Sequence, residues 1–383
     1  MNKLLYITNI PTPYRQKRFN RLSEILLNYK IELEVLYMAE TEPNRNWNLS
    51  KDTFKYKYKI YKGLHPVIGH MFAHFNPSLL LRLLKNDYNI AIVGGMASPT
   101  HMLAPFFIRS SKIQIMSIES NLHSVKITKG VGALIKRTLL KKATAFQVTG
   151  TPQIDYIKYF YPKALSRKFI KLPNLIDENI FVEKVSKLRR KRLELRKLFE
   201  VNAENQMWLL PSRLINIKGI IPFIKLLEGL KNVTLFLLGD GDLSSEIRQL
   251  INKKKLPVKM IGYVEENEII KYYAASDLFV LPSIEDPSPL SPIEAIAAGL
   301  PILVSSRIGN LEDVLESGIN GWCFDPILEN EKGKELVKNI SSYSFSRLKE
   351  AGNMSTQIYS DKFSTDSCLD KYSKEIYKIL HEA

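Results

Sequence analysis

Cysteine is nearly absent from this sequence of 383 residues: only Cys323 and Cys368 occur. That excludes a disulfide-stapled scaffold and a multi-cysteine metal module, and it points to a reducing compartment. Long hydrophobic runs are also missing. A membrane-spanning helix needs ~20 apolar residues, and the densest stretch, HMLAPFFI at 101–108, stops far short. The opening residues, MNKLLYITNIPTPYR, lack the apolar core and small-residue cleavage site of a signal peptide, so a cytoplasmic chain is expected. No helix-turn-helix, RNP strand or zinc module occurs, which argues against a nucleic-acid partner. Acidic residues are scarce in one half only. Residues 1–173 hold 27 Lys and Arg against 9 Asp and Glu, while the remainder holds 28 against 30, so the whole net charge of +16 sits in the first half. Such asymmetry implies that this half faces something anionic, a membrane surface or a phosphate-bearing ligand; the plainer alternative is a solubilising surface.

What is present is alternation. KLLYITNI precedes RFNRLSEILLNY, NIAIVGG precedes THMLAPFFIRS, KIQIMSIES precedes GALIKRTLLKKA, and TAFQVTG closes the series. Short runs rich in Ile and Val between helical patterns predict a parallel sheet covered on both faces. After KFIKLPN and one charged helix (KVSKLRRKRLELRKLF) the alternation restarts with MWLLPSR, VTLFLLGDG, VKMIGYV, LFVLPS and PILVSS. The prediction is an α/β protein of two doubly wound, Rossmann-like domains, 1–173 and 174–365, facing a central cleft. The closing helix at 366–383 can pack on either.

The second half carries most of the chemistry. EDPSPLSPIEAIAAGLP at 285–301 places Asp286 and Glu294 either side of a Pro/Ser loop. Ser291, Pro292 and Glu294 read as a capping box, in which Glu294 bonds back to the Ser291 amide, and Asp286 reads as a turn residue. The competing reading is a ligand site. A helix opening at a strand's carboxyl end suits a diphosphate. Arg213 and Lys218, in LLPSRLINIKG, stand at another strand-to-helix junction and can supply cations to it. Gly239 and Gly241, in LFLLGDGDL, allow the backbone to approach a ligand closely.

As an ordered set, LLPSRLINIKG, LFLLGDGDL, IGYVEENEIIKYYAASDLFVLPS and EDPSPLSPIEAIAAGLPILVSS resembles the donor-binding half of the retaining, GT-B-fold glycosyltransferases of family 4. The resemblance runs from about Met207 to Pro326 and includes the trailing GINGWCFDP; PNLIDENIF fits the family's hinge. It implies that Asp286, in place of the family's commoner Glu, contacts donor-sugar hydroxyls, and that Glu294 holds the nucleotide ribose, since a carboxylate accepts both hydroxyls of a vicinal diol. It further implies that Arg213 and Lys218 neutralise the leaving diphosphate, that Tyr263 and Val264 flank the base, and that no metal is required. The amides of Ser288, Leu290 and Ser291 remain as donors in the loop, from which Pro287 and Pro289 remove theirs.

In the first half the resemblance lies mainly in architecture and in the PTPYRQKRFN start. Where members often carry a histidine after the fifth strand, KIQIMSIESNLHS has Glu119, with His123 four residues on. Glu119 reads either as a base or cation stabiliser or as an ordinary loop carboxylate, and His123 as a loop histidine. Arg15 reads as a contact to acceptor or phosphate, or as a salt-bridged residue at a helix start. The implied activity is transfer of a hexose-type sugar from a UDP- or GDP-sugar to a glycan acceptor, free or lipid-linked, at the inner face of the cell membrane. The implied pathway is surface-polysaccharide synthesis. KYKYKIYKG and LIKRTLLKKA are the segments expected to meet anionic lipid. The alternatives are a sugar-nucleotide epimerase of the same build, a non-catalytic anion binder, and a nucleic-acid binder using the basic half.

Overall fold

The computed structural model describes residues 1–42, 51–68, 71–125, 127–327 and 330–382. The chain forms two compact units, Met1–Pro173 with Thr365–Ala383, and Asn174–Ser364.

The first unit runs β1 (Asn2–Thr8), α1 (Pro13–Asn28), β2 (Ile31–Tyr37), β3 (Lys57–Ile60), a hairpin of β4 (Val67–Ile68) and β5 (Met71–Phe72), α2 (Pro77–Leu83), β6 (Ile90–Val93), α3 (Pro99–Phe107), β7 (Ile113–Ile118), α4 (Gly130–Lys142), β8 (Ala145–Val148), α5 (Thr151–Phe160) and β9 (Lys168–Lys171). Seven parallel strands lie in the order β3-β2-β1-β6-β7-β8-β9. The central β6, IAIV, is buried at every residue, as a strand covered on both faces requires. β3 lies at the sheet edge, with Lys57 and Lys59 exposed and Tyr58 and Ile60 half-buried. Thr12 caps α1 and Pro13 sits at its first position, where a missing N–H costs nothing. The helix then buries Phe19, Leu22, Ile25 and Leu26. Apolar clusters lie around Leu5, Leu36 and Ala91 and around Met116, Phe146 and Ile157.

The second unit runs α6 (Glu178–Arg189), α7 (Arg192–Leu198), β10 (Gln206–Pro211), α8 (Ile220–Lys225), β11 (Val233–Leu238), α9 (Ser244–Lys254), β12 (Val258–Gly262), α10 (Glu266–Ala275), β13 (Leu278–Leu281), α11 (Ser291–Ala297), β14 (Ile302–Ser305), α12 (Leu311–Val314), β15 (Gly321–Phe324), α13 (Asn330–Ser341) and α14 (Phe345–Phe363). Its parallel strands lie in the order β12-β11-β10-β13-β14-β15. Strand order therefore reverses between β10 and β13, the switch point where ligands of such sheets bind. Two apolar clusters, one including Leu209, Phe279 and Ile293 and the other Trp208, Leu235 and Val280, fill the unit. Neighbouring strand residues of opposite facing fall in different clusters, so each cluster covers one face of the sheet.

One element differs from the sequence expectation. The single charged helix after KFIKLPN is broken at Arg190 and Lys191 into α6 and α7. The break lets Arg192 and Arg196, four residues apart on α7, both reach the buried carboxylate of Asp277. The closing helix, α15 (Thr365–Glu382), packs on α1. Arg21 takes Asp366 in a two-bonded ion pair at 2.7 Å, and Tyr372 donates to Gln147 at 2.7 Å.

Candidate active site

Two loops meet at the switch point of the second sheet. The loop after β10 carries Arg213 and Lys218; the loop after β13 carries Asp286. Ile284 and Glu285 both donate their amides to the Ile217 carbonyl, at 2.8 and 3.2 Å. Gly219 adopts φ +63°, and a Cβ there would stand 2.1 Å from the Pro282 carbonyl oxygen, so only glycine allows this approach. The zipped loops bring the Lys218 ammonium onto the Asp286 carboxylate as a mostly buried ion pair. Two residues 68 positions apart, singled out separately in the sequence, are thus direct partners.

The acidic loop is held from three sides. Asn174 donates to the Ser288 carbonyl at 2.9 Å and to its hydroxyl at 3.1 Å, Asn310 donates to the Pro289 carbonyl at 2.8 Å, and the Asp286 carbonyl accepts from Gly309 at 2.9 Å. The amides of Ser288, Leu290 and Ser291 have no protein partner among the described residues. They leave three amide donors on the loop that carries Asp286.

The capping-box expectation is corrected here. The helix begins at Ser291 with Leu290 as its cap and no side-chain cap bond, so Ser291 is the first helical residue and not the cap. Proline at 292 then stands at the second position, one place later than expected. Glu294 is engaged elsewhere: its Oε2 accepts from the Tyr273 phenol at 2.7 Å. Tyr273 is wholly buried, and burial beside this carboxylate raises its pKa well above the ordinary tyrosine value. With only seven residues, α11 contributes little dipole, so the free loop amides are the larger anion-attracting feature.

Gly239 and Gly241 follow β11 at φ +123° and +159°. A Cβ at Gly239 would lie 2.0 Å from the Ser212 carbonyl oxygen, and one at Gly241 would lie 2.5 Å from that of Leu214. The close approach these glycines permit is to the loop that carries Arg213. Asp240 turns its carboxylate back on the Gly241 amide and the Ser244 hydroxyl, at 2.8 and 2.6 Å. Tyr263, after β12, is 79% exposed, whereas Val264 is half-buried against the core. Among the described residues no group of three His, Cys, Asp or Glu side chains could hold a metal ion.

In the first unit, Arg15 donates to the Thr8 hydroxyl at 3.0 Å and stands 4.0 Å from the Glu119 carboxylate. It links the carboxyl ends of β1 and β7. His123 is exposed in the following loop. Two histidine environments escaped the sequence reading. His101, buried beside Ser98 in the first turn of α3, is pushed down to about 3 by burial and by Arg15, so its ring is neutral. His74 bonds Glu42 through Nε2 and His65 through Nδ1, each at 2.9 Å. Tyr273, Asn174 and Asn310 were missed as well; the tyrosine pair in IIKYYAAS was visible, but only packing shows which ring turns toward Glu294.

Residues 191–355 match the model of the family described as Glycosyl transferases group 1. The chain is 28% identical over 197 residues to the glycosyltransferase MJ1607 of Methanocaldococcus jannaschii, covering 50% of this chain and 49% of the relative. It is also 28% identical over 171 residues to the alpha-monoglucosyldiacylglycerol synthase of Acholeplasma laidlawii, covering 41% of each. The matches therefore span about half or less of the length of these curated relatives. Among solved structures, Anabaena HepE in complex with UDP superposes with a TM-score of 0.70 at 18% identity over the whole of both chains. Two parallel sheets with interleaved helices, superposing end to end on such structures, define a GT-B fold. The second unit thus carries a match to the Glycosyl transferases group 1 model, and the chain as a whole has a GT-B fold.

Proposed function

We propose that the protein transfers a hexose from a nucleotide-sugar donor to a hydroxyl of a glycan acceptor with retention of configuration and without a metal. The carrying observation is the Lys218–Asp286 ion pair at the switch point of the second sheet, with three free amides on the loop that carries Asp286 and a tethered Glu294. In this reading Glu294 accepts the two ribose hydroxyls, Arg213, Lys218 and the loop amides receive the diphosphate, and Asp286 faces the sugar. Tyr263, with its ring largely exposed, lies beside the base. A uridine donor is favoured because the HepE structures hold UDP and, in one case, UDP-glucose.

Negative charge grows on the diphosphate as the C1–O bond breaks, so cations beside it lower the transition state more than the ground state. The acceptor oxygen bonds C1 on the face the diphosphate leaves, and its proton passes to the departing phosphate oxygen. Glu119, oriented by Arg15, stabilises the cationic sugar or the acceptor. The acceptor is placed on a lipid carrier. α4 supports this: Val131, Leu134 and Ile135 are exposed on a helix whose last turn carries Lys141 and Lys142, within a half of net charge +18. Among the described residues no helix is long and apolar enough to cross a membrane, so attachment would be to the surface. The amylovoran biosynthesis glycosyltransferase AmsK of Erwinia amylovora, 32% identical over 94 residues, favours polysaccharide assembly.

The test is a thermal-shift screen of the full chain with UDP, GDP, ADP and CDP and their sugar conjugates, with Glu294→Ala alongside. A uridine or guanosine nucleotide that raises the wild-type midpoint but not the variant's supports the reading. No response from any nucleotide contradicts it.

A further inference from the structure

At the amino ends of the strands of the second sheet, where β13 and β14 begin, a cavity of about 360 Å3 opens between α6, α7 and the start of α14. Its charged lining is Arg189, Arg192, Asp277 and Lys349. Three cations thus face one carboxylate, and that carboxylate is already saturated. Asp277 accepts the Met207 amide and Arg196, each at 2.8 Å, and it pairs with Arg192.

Among the described residues Arg189 has no carboxylate partner; it reaches the carbonyls of Gly299 and Tyr273, both at 3.3 Å, and its Nε is buried without a hydrogen bond. Burial and the neighbouring Arg192 push its guanidinium down to about 10, the sign of a cation short of negative charge. Lys349 makes no ion pair among the described residues. Ser344 takes the Arg347 amide, which leaves the Phe345 and Ser346 amides of this 19-residue helix unused at the cavity wall. An arginine fork short of negative charge, the exposed Lys349 ammonium and helix-start amides around a half-open volume match the chemistry of a phosphate group.

We infer that this cavity binds a small phosphate-bearing anion, either inorganic phosphate or a phosphate monoester, at a site separate from the candidate active site. Its volume lies within the range of small-ligand pockets, ~300–1,000 Å3. Phe345, whose ring stacks on Arg196 at 5.8 Å, offers an apolar wall to the organic part of an ester. The inference does not depend on the transferase reading.

The test titrates the full chain with sodium phosphate and with glycerol 3-phosphate, against sodium chloride at constant ionic strength, following the melting midpoint and calorimetric heat. Lys349→Gln is the main variant, because its side chain is exposed and, among the described residues, makes no hydrogen bond or ion pair; Arg189→Gln is the second, and Arg213→Gln is the control at the other ends of the strands. The expected result is a saturable wild-type response, about tenfold weaker in Lys349→Gln and retained in Arg213→Gln. A tighter response to glycerol 3-phosphate than to phosphate identifies an ester as the occupant; equal responses identify the bare ion. The inference is overturned by the absence of a saturable response, by an unchanged response in Lys349→Gln, or by a response lost only in Arg213→Gln. UDP binding measured in the same variants separates this outcome from a failure of the active-site reading.

Discussion

The Tyr273 phenol, wholly buried on α10, donates to Glu294 Oε2 at 2.7 Å on α11. The carboxylate is therefore anchored from beneath by a group that never meets solvent, which limits its rotamers before any ligand arrives. Tyr273→Phe removes the anchor while keeping the packed ring. Nucleotide affinity is expected to fall about tenfold, since a hydrogen bond to a charged group contributes about 1.5–3 kcal/mol, with a smaller loss of melting temperature. Calorimetric titration with UDP checks this. Unchanged affinity would mean that Glu294 does not touch the nucleotide.

Lys218 and Asp286 form a pair whose side chains are only 15% and 14% exposed. Lys218→Ala leaves a mostly buried carboxylate uncompensated and removes a cation from the proposed diphosphate site. Turnover of sugar transfer is expected to fall by about 10² to 10³, the magnitude seen when one preorganised donor is lost, with a lesser change in donor affinity. Steady-state rates under saturating donor separate the two. A large loss of affinity at constant turnover would place Lys218 in ground-state binding only.

Gly239→Ala puts a methyl group 2.0 Å from the Ser212 carbonyl oxygen at φ +123°. Backbone strain of this kind costs on the order of 1–3 kcal/mol, and the Arg213 loop must move as well. The second unit should melt several degrees lower, and nucleotide affinity should drop in the protein that remains folded. An unchanged melting curve would show that the two loops are not packed as described.

Burial holds the pKa values of Tyr273 and Tyr372 well above 10 in the folded protein. In the unfolded chain both lose their protons near pH 10. Above that pH the unfolded state binds fewer protons, so stability falls as pH rises, by about 1.4 kcal/mol per pH unit for each tyrosine. Below pH 10 neither group contributes a slope. Urea unfolding between pH 9 and 11 measures this, and Tyr273→Phe and Tyr372→Phe should each flatten the alkaline slope.

Leu134→Glu on α4 replaces a side chain that is 62% exposed. If α4 lies on lipid, binding of the full chain to vesicles containing phosphatidylserine should weaken several-fold and the wild-type interaction should diminish with salt. Co-sedimentation in which variant and wild type behave alike would remove α4 from the membrane contact.

Much of the architecture was legible because it rests on periodicity. Buried runs such as IAIV and VTLFLL can only be strands covered on both faces, and the loops between them had to emerge at the strand ends. The candidate residues of the second unit were legible because they cluster on those ends. The capping box was misread for a physical reason. Ser-x-x-Glu satisfies a helix start locally, but the chain enters through Leu290, one residue earlier, and Tyr273 captures the carboxylate that the cap would have used. His123 lies exposed in a loop, whereas His101 is buried in the α3 turn and His74 joins His65, nine residues away, to Glu42, 32 residues away, pairings that no local pattern shows.

By itself the sequence determined the two α/β units, the concentration of positive charge in the first, and the residue types available at each strand end, because strand periodicity and charge are properties of neighbours along the chain. Only the tertiary structure decided which of those residues are partners: Lys218 with Asp286, Glu294 with Tyr273, Arg15 with Glu119, and Arg192 and Arg196 with a single Asp277. These pairings depend on the order in which strands lie side by side, and that of Lys218 with Asp286 also on Gly219, which lets the two loops touch. Hydrogen bonds and ion pairs act over a few ångströms of space, and no local pattern along the chain encodes that proximity.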